Sequence, residues 1–348
     1  MKRVSVVILN WNGVDMLRKF IPSVMDNSVG EGIEICVADN ASSDGSLEML
    51  RSEFPVVRLI ELDQNYGFAE GYNRALEQVD AEYVVLLNSD VEVTPHWLEP
   101  LLDYMDTHSG TVACQPKLLS CQPKIRSQRQ KEYFEYAGAS GGFIDRYGYP
   151  FCRGRIFDVV EKDCGQYDTV TEVMWVTGAA LFIRLADYRE VGGLDGHFFA
   201  HMEEIDLCWR LRSRGKKLVC IPQSVVYHVG GATLKKENPR KTFLNFRNNL
   251  LMLYKNLPDK ELEHVLFIRG ILDRVAALVF YLKKDRANAR AVMQARREFE
   301  DIRYSFAASR IENMMKSTDE IIPERTHFSI VMKYYLLGKK HFSQLKLF

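Results

Sequence analysis

Short apolar runs alternate with stretches of helical periodicity in the first quarter of the chain. Four runs rich in Val, Ile and Leu have the length of buried strands: residues 4–8, 33–38, 56–62 and 83–87. Three stretches between them carry apolar side chains at helical spacing: residues 14–27, 46–54 and 69–79. Strands separated by helices predict right-handed crossovers, and therefore an α/β fold with a mainly parallel sheet flanked by helices.

The regular alternation stops after the fourth strand. A helix is predicted over residues 95–105 and a strand over 111–119. Residues 120–172 then read as irregular, because they are rich in glycine and dotted with aromatic side chains. A long segment of this kind inside an enzyme domain indicates a lid or a substrate-recognition face.

Strand and helix patterns return beyond this segment. Residues 173–184 have a strand pattern, and a helix is predicted over 185–190. Another helix is predicted to begin near Glu203. Two short strands are predicted between residues 216 and 228, and the second of them ends at His228.

The composition changes at about Pro239, after which the chain is helical and rich in Lys, Arg, Leu and Met. We therefore predict a main domain over 1–239, with parts over 1–115 and 116–239, and a helical C-terminal extension over 240–348. Basic amphipathic helices can lie on a membrane surface. Packing against the catalytic domain or a second subunit is favoured here, because apolar and charged residues are interleaved.

Polar side chains follow the predicted strands at the points where the strands end. Asn10 and Asn12 follow the first strand, and Asp39 follows the second. The fourth strand runs into Asn88 and Asp90 within the sequence LLNSDVEV. Ligands bind at this edge of an open α/β sheet, and a lone carboxylate there suits a divalent cation shared with phosphates. The alternative is that these residues cap the helix that follows.

The composition is that of an ordinary globular protein, with 47% hydrophobic and 26% charged residues. The formal charge is zero, so nothing in the total charge indicates nucleic-acid binding. Seven cysteines without paired CxxC spacing argue against structural zinc and for reduced thiols in the cytoplasm. The N-terminal apolar run is too short for a signal peptide, and we expect no membrane-spanning helix.

Two nucleotide-binding motifs are absent from the sequence. There is no GxGxxG after the first strand and no GxxxxGK[ST] anywhere. A nucleotide bound by this sheet would therefore use a diphosphate site that depends on a cation. A nucleotidyltransferase is disfavoured, because the loop after the first strand is NWNG and is neither basic nor rich in glycine.

Two further candidates for chemistry lie downstream. Glu203 and Glu204 are adjacent at a predicted helix start, where the helix dipole alone would explain two acids. The functional interpretation is that one of them faces the sheet edge as a general base. His228 ends a strand, and a lone histidine there is more often structural than a metal ligand. Asp90 and His228 would nonetheless make an open metal site if diphosphate and water completed it.

An ordered set of motifs resembles the family-2 inverting glycosyltransferases with the GT-A fold, particularly their rhamnosyltransferase-like branch. The resemblance extends over roughly residues 3–250. Its motifs are VSVVILNWNG, VADNASSDGS, QNYGFAEGYNRAL, LLNSDVEV, TGAALFIR, GGLDGHFFAHMEEIDLCWRLRSRG and the strand that ends at His228. It implies a Rossmann-like, mainly parallel GT-A sheet flanked by helices, with a helical C-terminal extension. Residues 1–239 would then be the catalytic domain, with a nucleotide-sugar-binding half over 1–115 and an acceptor-side half over 116–239.

The resemblance implies a donor pocket and a metal site. Asp39 would contact the base or ribose of the nucleotide. The other donor-pocket positions that it implies are Asn10, Asn12, Asn65, Gly67, Asn73 and Asn88. Asp90 matches the last residue of the family's DxD motif, whose first Asp is Asn88 here. With His228 it would hold a divalent cation, Mn²⁺ or Mg²⁺, although Asn88 leaves only one strong ligand in the motif.

The resemblance also implies the residues at the reacting groups. Glu204 occupies the place of the catalytic base in the family's ED motif, where Asp is usual. Glu203 would order the start of the helix. Trp175, Gly178 and Ala179 fall where acceptor and donor sugar meet.

The predicted function is the transfer of a sugar from a dTDP- or UDP-sugar to a saccharide or lipid-linked saccharide, in cell-surface polysaccharide or lipid-linked oligosaccharide synthesis. The predicted location is the cytoplasm, with peripheral association at the inner face of the plasma membrane left open, as is a homodimer. No nucleic-acid partner is expected. The alternative is a catalytically silent protein that binds sugar nucleotides or acts as a scaffold.

Overall fold

The computed structural model describes residues 1–121, 132–230, 238–318 and 321–347. A nine-stranded mixed sheet forms its centre, and a second, four-stranded sheet is made by β7 to β10. The strands in the described ranges are β1 Lys2–Asn10, β2 Ile33–Asp39, β3 Arg58–Glu61, β4 Ala81–Asn88, β5 Val91–Val93, β6 Thr111–Ser120, β7 Gly142–Ile144, β8 Pro150–Cys152, β9 Arg155–Ile156, β10 Val159–Val160, β11 Thr171–Glu172, β12 Ala180–Arg184 and β13 Lys217–His228.

Six strands of the central sheet run in the same direction: β1, β2, β3, β4, β6 and β13. The order is β11-β13-β6-β12-β4-β1-β2-β3, with β5 paired to β13. Strand β12 is antiparallel to both β4 and β6, so those two strands run in the same direction. The carboxyl ends of β1, β2, β4, β6 and β13 therefore lie at one edge of the sheet, together with the first residues of β12. The predicted mainly parallel α/β fold is confirmed.

Helices cover both faces of the central sheet. Their bounds are α1 Val14–Asn27, α2 Ser46–Glu53, α3 Gly67–Glu77, α4 Glu99–Thr107, α5 Leu185–Glu190, α6 Glu203–Ser213, α7 Pro239–Asn256, α8 Asp259–Leu282, α9 Arg286–Ile302 and α10 Ala307–Met315. Val6 and Ile8 of β1 pack in the core that includes Leu17 of α1, whereas Val7 packs in the opposite core with Tyr72 of α3. Successive side chains of a strand point to opposite faces of the sheet. Because both faces are buried here, side chains on both faces are apolar and the sequence shows a continuous apolar run.

Three predicted features are wrong in detail. Residues 173–179 are not a strand, and only Ala180–Arg184 of the predicted strand is one. The two short strands predicted near the end of the domain are a single strand, Lys217–His228, whose pairing register shifts between Ile221 and Val225. The part of 120–172 that the structure describes contains a small antiparallel sheet, which was not predicted, within otherwise irregular chain.

The C-terminal helices pack against the rest of the chain and against one another. Helix α7 contacts α6, α9 and α10, and α8 packs on α9. The predicted boundary at residue 239 coincides with the first residue of α7, but the division into two domains stays a prediction. In the described ranges, no helix has both the length and the apolar character needed to span a membrane.

Candidate functional site

Asn10 and Asp39 lie side by side at the carboxyl edge of the sheet. They pair in register at the ends of β1 and β2, and Asn10 Nδ2 donates to Asp39 Oδ2 at 2.9 Å. The other oxygen of Asp39 accepts from the backbone N–H of Ser42 at 2.8 Å. The side chain of Asn12 accepts from the Ser43 N–H, also at 2.8 Å. The structure therefore brings the first three predicted donor-pocket residues together in one hydrogen-bonded loop pair.

Asn40 holds the next predicted pair, Asn65 and Gly67. The buried amide of Asn40 donates to Asn65 Oδ1 at 3.1 Å and to the carbonyl of Gly67 at 2.9 Å, and it accepts from the Tyr66 N–H at 2.9 Å. Gly67 has φ +76°, and a Cβ there would lie 2.5 Å from the ring of Phe199. Only glycine fits this position. The loop that carries Asn65 and Gly67 is thus fixed between the end of β2 and the loop before α6.

Asn73 lies in the second half of α3. Its amide donates to the carbonyl of Leu194 at 2.7 Å, and its oxygen accepts from the Leu194 N–H at 3.0 Å and the Tyr188 hydroxyl at 2.6 Å. These bonds tie α3 to the chain that follows α5. The structure does not bring Asn73 together with the other predicted donor-pocket residues.

Asp90 and His228 meet at the same edge, although 137 residues separate them in the sequence. Strand β5 turns back to pair with the end of β13, with Val91 opposite His228. As a result, His228 Nε2 lies 3.1 Å from Asp90 Oδ1 and 3.4 Å from Asn88 Nδ2. The other ring nitrogen lies 3.5 Å from Glu135 Oε1, close enough for an ion pair. All three predicted residues of this cluster are therefore adjacent.

The two buried carboxylates favour a positively charged His228. Burial alone would lower the pKa of His228, but the charges of Asp90 and Glu135 raise it to about 10. Burial would likewise raise the pKa of Asp90, but the charge and hydrogen bond of His228 hold it below its usual value. In this arrangement a proton on His228 occupies the position that a cation would take.

The donor set of Asp90 and His228 fits a divalent cation. Neighbouring ligands of an octahedral ion with bonds of about 2.1 Å lie about 3.0 Å apart, and the two side-chain atoms are 3.1 Å apart. A cation would displace the proton from His228 Nε2, since a metal-bound imidazole nitrogen carries none. The described residues contain no cluster of three or more His, Cys, Asp or Glu side chains suited to a metal. The remaining ligands would therefore have to come from diphosphate and water.

Glu203 and Glu204 begin α6 after an unusual loop. Phe199, His201 and Met202 all have positive φ, between 63° and 74°, which is rare for residues with a side chain. Glu203 is 4% exposed, whereas Glu204 is partly exposed. One carboxylate oxygen of each is enclosed and has no hydrogen-bond partner among the described residues.

Burial makes this carboxyl pair hard to ionise. It raises the pKa of Glu204 to about 7, and backbone hydrogen bonds from the start of α6 only partly offset it. The pKa of Glu203 is raised well above its usual value, by burial first and by the neighbouring Glu204 charge second. Glu204 thus titrates near neutral pH, which is where a general base is most effective.

Gly178 and Ala179 connect the two clusters. A Cβ on Gly178 would lie 3.6 Å from Glu204 Cβ and 3.3 Å from the ring of Phe68. The next residue, Ala179, accepts a hydrogen bond at 3.0 Å from the backbone N–H of Asn88. The chain therefore leads from Glu204 to the Asp90 cluster through two successive residues, both at the carboxyl edge of the sheet.

Asn248 of α7 holds the loop that leads to Glu203. Its side-chain N–H groups approach three carbonyls, those of Phe198 at 2.9 Å, Ala200 at 2.9 Å and His201 at 2.8 Å. The side chain is fully buried. One amide thus satisfies most of the acceptors in a loop whose backbone is strained.

Lys255 and Asn256, at the end of α7, fix the body of α6. The ammonium of Lys255 lies 2.7 Å from Asp195 and 2.8 Å from Asp206, and it is 2% exposed on its side chain. Asn256 donates to the other oxygen of Asp206 at 2.8 Å, and Arg210 pairs with Asp206 at 3.0 Å. Asp206 is therefore a buried anchor between α6 and α7.

Two tryptophans near the site differ in exposure. Trp175, predicted at the acceptor and donor-sugar region, is 3% exposed, and its indole N–H donates to the carbonyl of Phe143 at 3.0 Å. The indole also packs so closely on Gly142 that a Cβ there would lie 2.1 Å from it. Trp11, which the sequence reasoning did not single out, is 50% exposed between Asn10 and Asn12.

Sequence reasoning missed Glu135, Asn40 and Asn248. Glu135 lies in the segment that was interpreted as irregular, so nothing indicated its position beside His228. Asn40 stands next to Asp39 at the end of a strand, and that placement was a usable signal. Asn248 lies in an ordinary amphipathic helix, and no local pattern distinguishes it.

Comparisons with known proteins agree with this geometry. Residues 5–163 match the model of Glycosyl transferase family 2. The chain is 26% identical over 237 residues to the N-acetylglucosaminyl-diphospho-decaprenol L-rhamnosyltransferase of Mycobacterium tuberculosis (strain CDC 1551 / Oshkosh). The aligned region covers 65% of this chain and 75% of that protein. It is 23% identical over 234 residues to Rhamnosyltransferase WbbL of Escherichia coli (strain K12), covering 65% and 83% of the two chains.

A solved structure gives the same architecture. The mannosyltransferase PcManGT from Pyrobaculum calidifontis, in complex with GDP-Man and Mn²⁺, superposes with a TM-score of 0.51 at 14% identity over 90% of this chain and 84% of that one. At this identity the likeness concerns the fold.

The sequence relatives identify the chain as a nucleotide-sugar-dependent glycosyltransferase. The match to family 2 is limited to residues 5–163, and over 65% of its length the chain is similar to rhamnosyltransferases.

Proposed function

We propose that this glycosyltransferase transfers a sugar with inversion from a nucleoside diphosphate sugar to an acceptor hydroxyl, and that Glu204 is its general base. One observation supports the proposal most: Glu204 and the Asp90–His228 pair are joined through Gly178, Ala179 and Asn88 at one edge of the sheet. A base and a diphosphate site must be adjacent for an in-line displacement.

The acceptor hydroxyl attacks the anomeric carbon from the side opposite the leaving group. A new carbon–oxygen bond forms while the bond from the anomeric carbon to the diphosphate oxygen breaks. The hydroxyl proton passes to Glu204, and the electron pair leaves with the nucleoside diphosphate. A single displacement inverts the anomeric configuration, so no covalent enzyme intermediate is required.

Asp90 and His228 would hold a divalent cation, Mn²⁺ or Mg²⁺, on the diphosphate side of the reacting centre. When bound, that ion supplies positive charge next to the departing phosphate. Asn88 lies 3.4 Å from His228 and can donate its amide hydrogens to phosphate oxygens, which the carboxylate of an Asp could not do.

The donor is proposed to be a dTDP- or UDP-linked sugar, with dTDP-rhamnose first because two relatives are named rhamnosyltransferases. The acceptor is proposed to be a saccharide, or a saccharide linked to a lipid diphosphate, as in the name of the mycobacterial relative. Residues 120–172 would select it. These substrates correspond to cell-surface polysaccharide synthesis in the cytoplasm at the inner face of the plasma membrane.

The role of Glu204 is tested with Glu204→Gln and, as the matched control, Glu203→Gln. Release of nucleoside diphosphate from dTDP-rhamnose and UDP-sugars is measured with and without saccharide acceptors, and nucleotide binding is measured by calorimetry. We expect Glu204→Gln to lower kcat by about 10²–10⁴-fold with unchanged nucleotide affinity. Wild-type turnover in Glu204→Gln would contradict the assignment. If the wild-type protein binds nucleotide but never cleaves a sugar nucleotide to nucleoside diphosphate, the alternative of a catalytically silent sugar-nucleotide-binding protein is favoured.

The cation site is tested with Asp90→Asn and His228→Gln. Each should reduce the gain in dTDP or UDP affinity that Mn²⁺ gives to the wild-type protein. Asp106→Asn is the control, because Asp106 pairs with Arg3 away from the carboxyl edge. Equal affinity of wild type and variants in Mn²⁺ would remove Asp90 and His228 from the diphosphate site.

A further inference from the structure

Helix α8 buries charge and exposes apolar side chains. Arg269 and Asp273 are 1% and 0% exposed and pair with each other at 3.3 Å, while Arg296 of α9 pairs with Asp273 at 2.8 Å. The opposite side of the helix carries large apolar residues that are 44–71% exposed: Phe267, Ile271, Val275, Leu278, Val279, Tyr281 and Leu282. An ordinary surface helix has the reverse arrangement.

The exposed side chains form a continuous stripe. Consecutive members of the set Phe267, Ile271, Val275, Leu278 and Leu282 are three or four residues apart, so they lie on one side of the helix. At about 1.5 Å per residue the stripe is about 22 Å long. Contiguous apolar surface of this size on a folded protein marks an interaction site.

Cations follow the stripe at the end of α8 and the start of α9. Lys283, Lys284 and Arg286 are all exposed. Arg286 lies over the ring of Tyr281, 5.6 Å from its centroid. None of the three cations forms an ion pair with any residue that the structure describes. They are thus available to an external anion, next to the apolar stripe.

We propose that the α8 stripe, which we define as Phe267, Ile271, Val275, Leu278 and Leu282, docks on the surface of an anionic lipid bilayer. Its apolar side chains enter the boundary between headgroups and acyl chains, and the adjacent cations contact lipid phosphates.

Charge complementarity selects this partner over a second copy of the chain. A two-fold contact through the stripe would place the cations of the two copies side by side if the helices ran parallel. If the helices ran antiparallel, the cations would lie at the two ends of the contact, and the apolar stripe would offer them no carboxylate. An anionic bilayer instead offers fixed negative charge beside an apolar phase. The helix lies on that surface and does not cross it, in keeping with its failure to qualify as a membrane span.

This inference goes beyond the proposed function and does not depend on it. Lipid binding requires neither a donor nor a general base, so the two proposals can fail separately. If both hold, the stripe would keep the enzyme at the surface where a lipid-linked saccharide is found.

The test is co-sedimentation of the full chain with vesicles of equal parts phosphatidylcholine and phosphatidylglycerol, and with phosphatidylcholine alone. We expect the wild-type chain to sediment with the anionic vesicles. Phe267→Ser with Ile271→Ser and Leu278→Ser should lower the partition coefficient at least about tenfold. The control is Val29→Ser with Val56→Ser, two residues that are 74% and 78% exposed elsewhere, and it should sediment like the wild type.

A second variant tests the cations and avoids any change in the stripe. Lys283→Glu with Lys284→Glu should lose the preference for anionic vesicles, whereas Lys2→Glu should retain it. An unchanged midpoint of thermal unfolding in every variant establishes that each is folded. Wild-type chain that stays in the supernatant, or a stripe variant that sediments like the wild type, would overturn the proposal. So would a wild-type dimer in analytical ultracentrifugation that the stripe variant converts to monomer.

Discussion

At the scale of single residues, the position of Glu204 determines its chemistry. An exposed glutamate is fully ionised at neutral pH and is a weak base. Glu204 is partly enclosed at the start of α6, next to the buried Glu203, and burial raises its pKa to about 7. The same enclosure that makes the carboxylate costly to ionise therefore makes it a better proton acceptor.

This pKa predicts an acid limb in the rate profile. Because only the ionised carboxylate accepts a proton, kcat/KM should fall about tenfold per pH unit below about pH 7 and level off above it. The measurement is kcat/KM from about pH 5.5 to about pH 8.5 with a saturating cation. Nucleotide affinity is measured over the same pH range as a control. A change in that affinity would show that groups at the diphosphate site, and not Glu204 alone, titrate in this range. A rate that is independent of pH down to about pH 5.5 would contradict the raised pKa.

Two glycines near the site should respond differently to alanine. In Gly178→Ala the new Cβ would lie 3.3 Å from the ring of Phe68 and 3.6 Å from Glu204. The ring of Phe68, which is only partly buried, must shift by a few tenths of an ångström, and the methyl group then occupies space beside Glu204. We expect kcat/KM to fall about tenfold or more, with less than about 1 kcal/mol lost in the free energy of unfolding.

Gly142→Ala is the matched comparison for this prediction. Its Cβ would lie 2.1 Å from the buried indole of Trp175. We expect a loss of about 1–3 kcal/mol in the free energy of unfolding, because overpacking of a core forces its neighbours to move. The measurements are kcat/KM and the free energy of unfolding from urea denaturation, for both variants. Full activity in Gly178→Ala would show that the space beside Glu204 is not used by substrate.

At the scale of elements, α7 holds the loop that leads into α6 through Asn248. The loop from Phe198 to Met202 contains three residues with positive φ. Such a loop keeps its conformation only when its surroundings hold it. The contacts of the Asn248 amide with three carbonyls of the loop stabilise this conformation.

Asn248→Ala should release this loop. We expect a loss of about 1–3 kcal/mol in the free energy of unfolding. The fall in kcat should be larger than any change in nucleotide affinity, because the base moves and the donor pocket does not. Asn245→Ala is the control, since Asn245 donates only to Lys241 within α7 among the contacts given for the described residues. A variant with normal kcat and reduced stability would limit Asn248 to a structural role.

Sequence patterns predicted elements well where periodicity was long or boundaries were marked. Helix α1 over 14–27 and α5 over 185–190 match the structure at both ends. The strand predicted over 173–179 failed because a buried irregular segment is as apolar as a strand. The register shift between Ile221 and Val225 was interpreted as a break between strands, since the intervening polar residues resemble a turn.

The candidate site could be predicted only in part. The ends of parallel strands placed Asn10, Asp39 and Asp90 at one edge by topology alone. His228 was ambiguous until the resemblance to a family was added, because pairing between β5 and β13 cannot be read from local pattern. Glu135 could not be predicted, since its position depends on the packing of a segment without a recognisable period.

At the scale of the whole molecule, the C-terminal helices and the catalytic part share buried charges. Lys255 of α7 neutralises Asp195 and Asp206, and it is nearly fully buried. Removing one partner of a buried ion pair leaves the other charges without compensation. The two predicted domains should therefore unfold together.

Lys255→Met tests this coupling. We expect it to lower the free energy of unfolding by about 3–5 kcal/mol. Hydrogen exchange should increase in α6 and α7 together. Lys316→Met is the control, because its pair with Glu312 is exposed and contributes little. Two separate urea transitions for the wild-type chain, one for each predicted domain, would show that α7 is an independent unit.

The direction of β12 has a consequence for how new specificities could arise. Strand β6 ends at Ser120 and β12 begins at Ala180, both at the carboxyl edge. The described part of the chain between them carries β7 to β11, so the chain leaves this edge of the sheet at Ser120 and returns to it at Ala180. If residues 120–172 select the acceptor, as proposed above, exchanging this segment between homologous enzymes should change the acceptor and leave the donor unchanged.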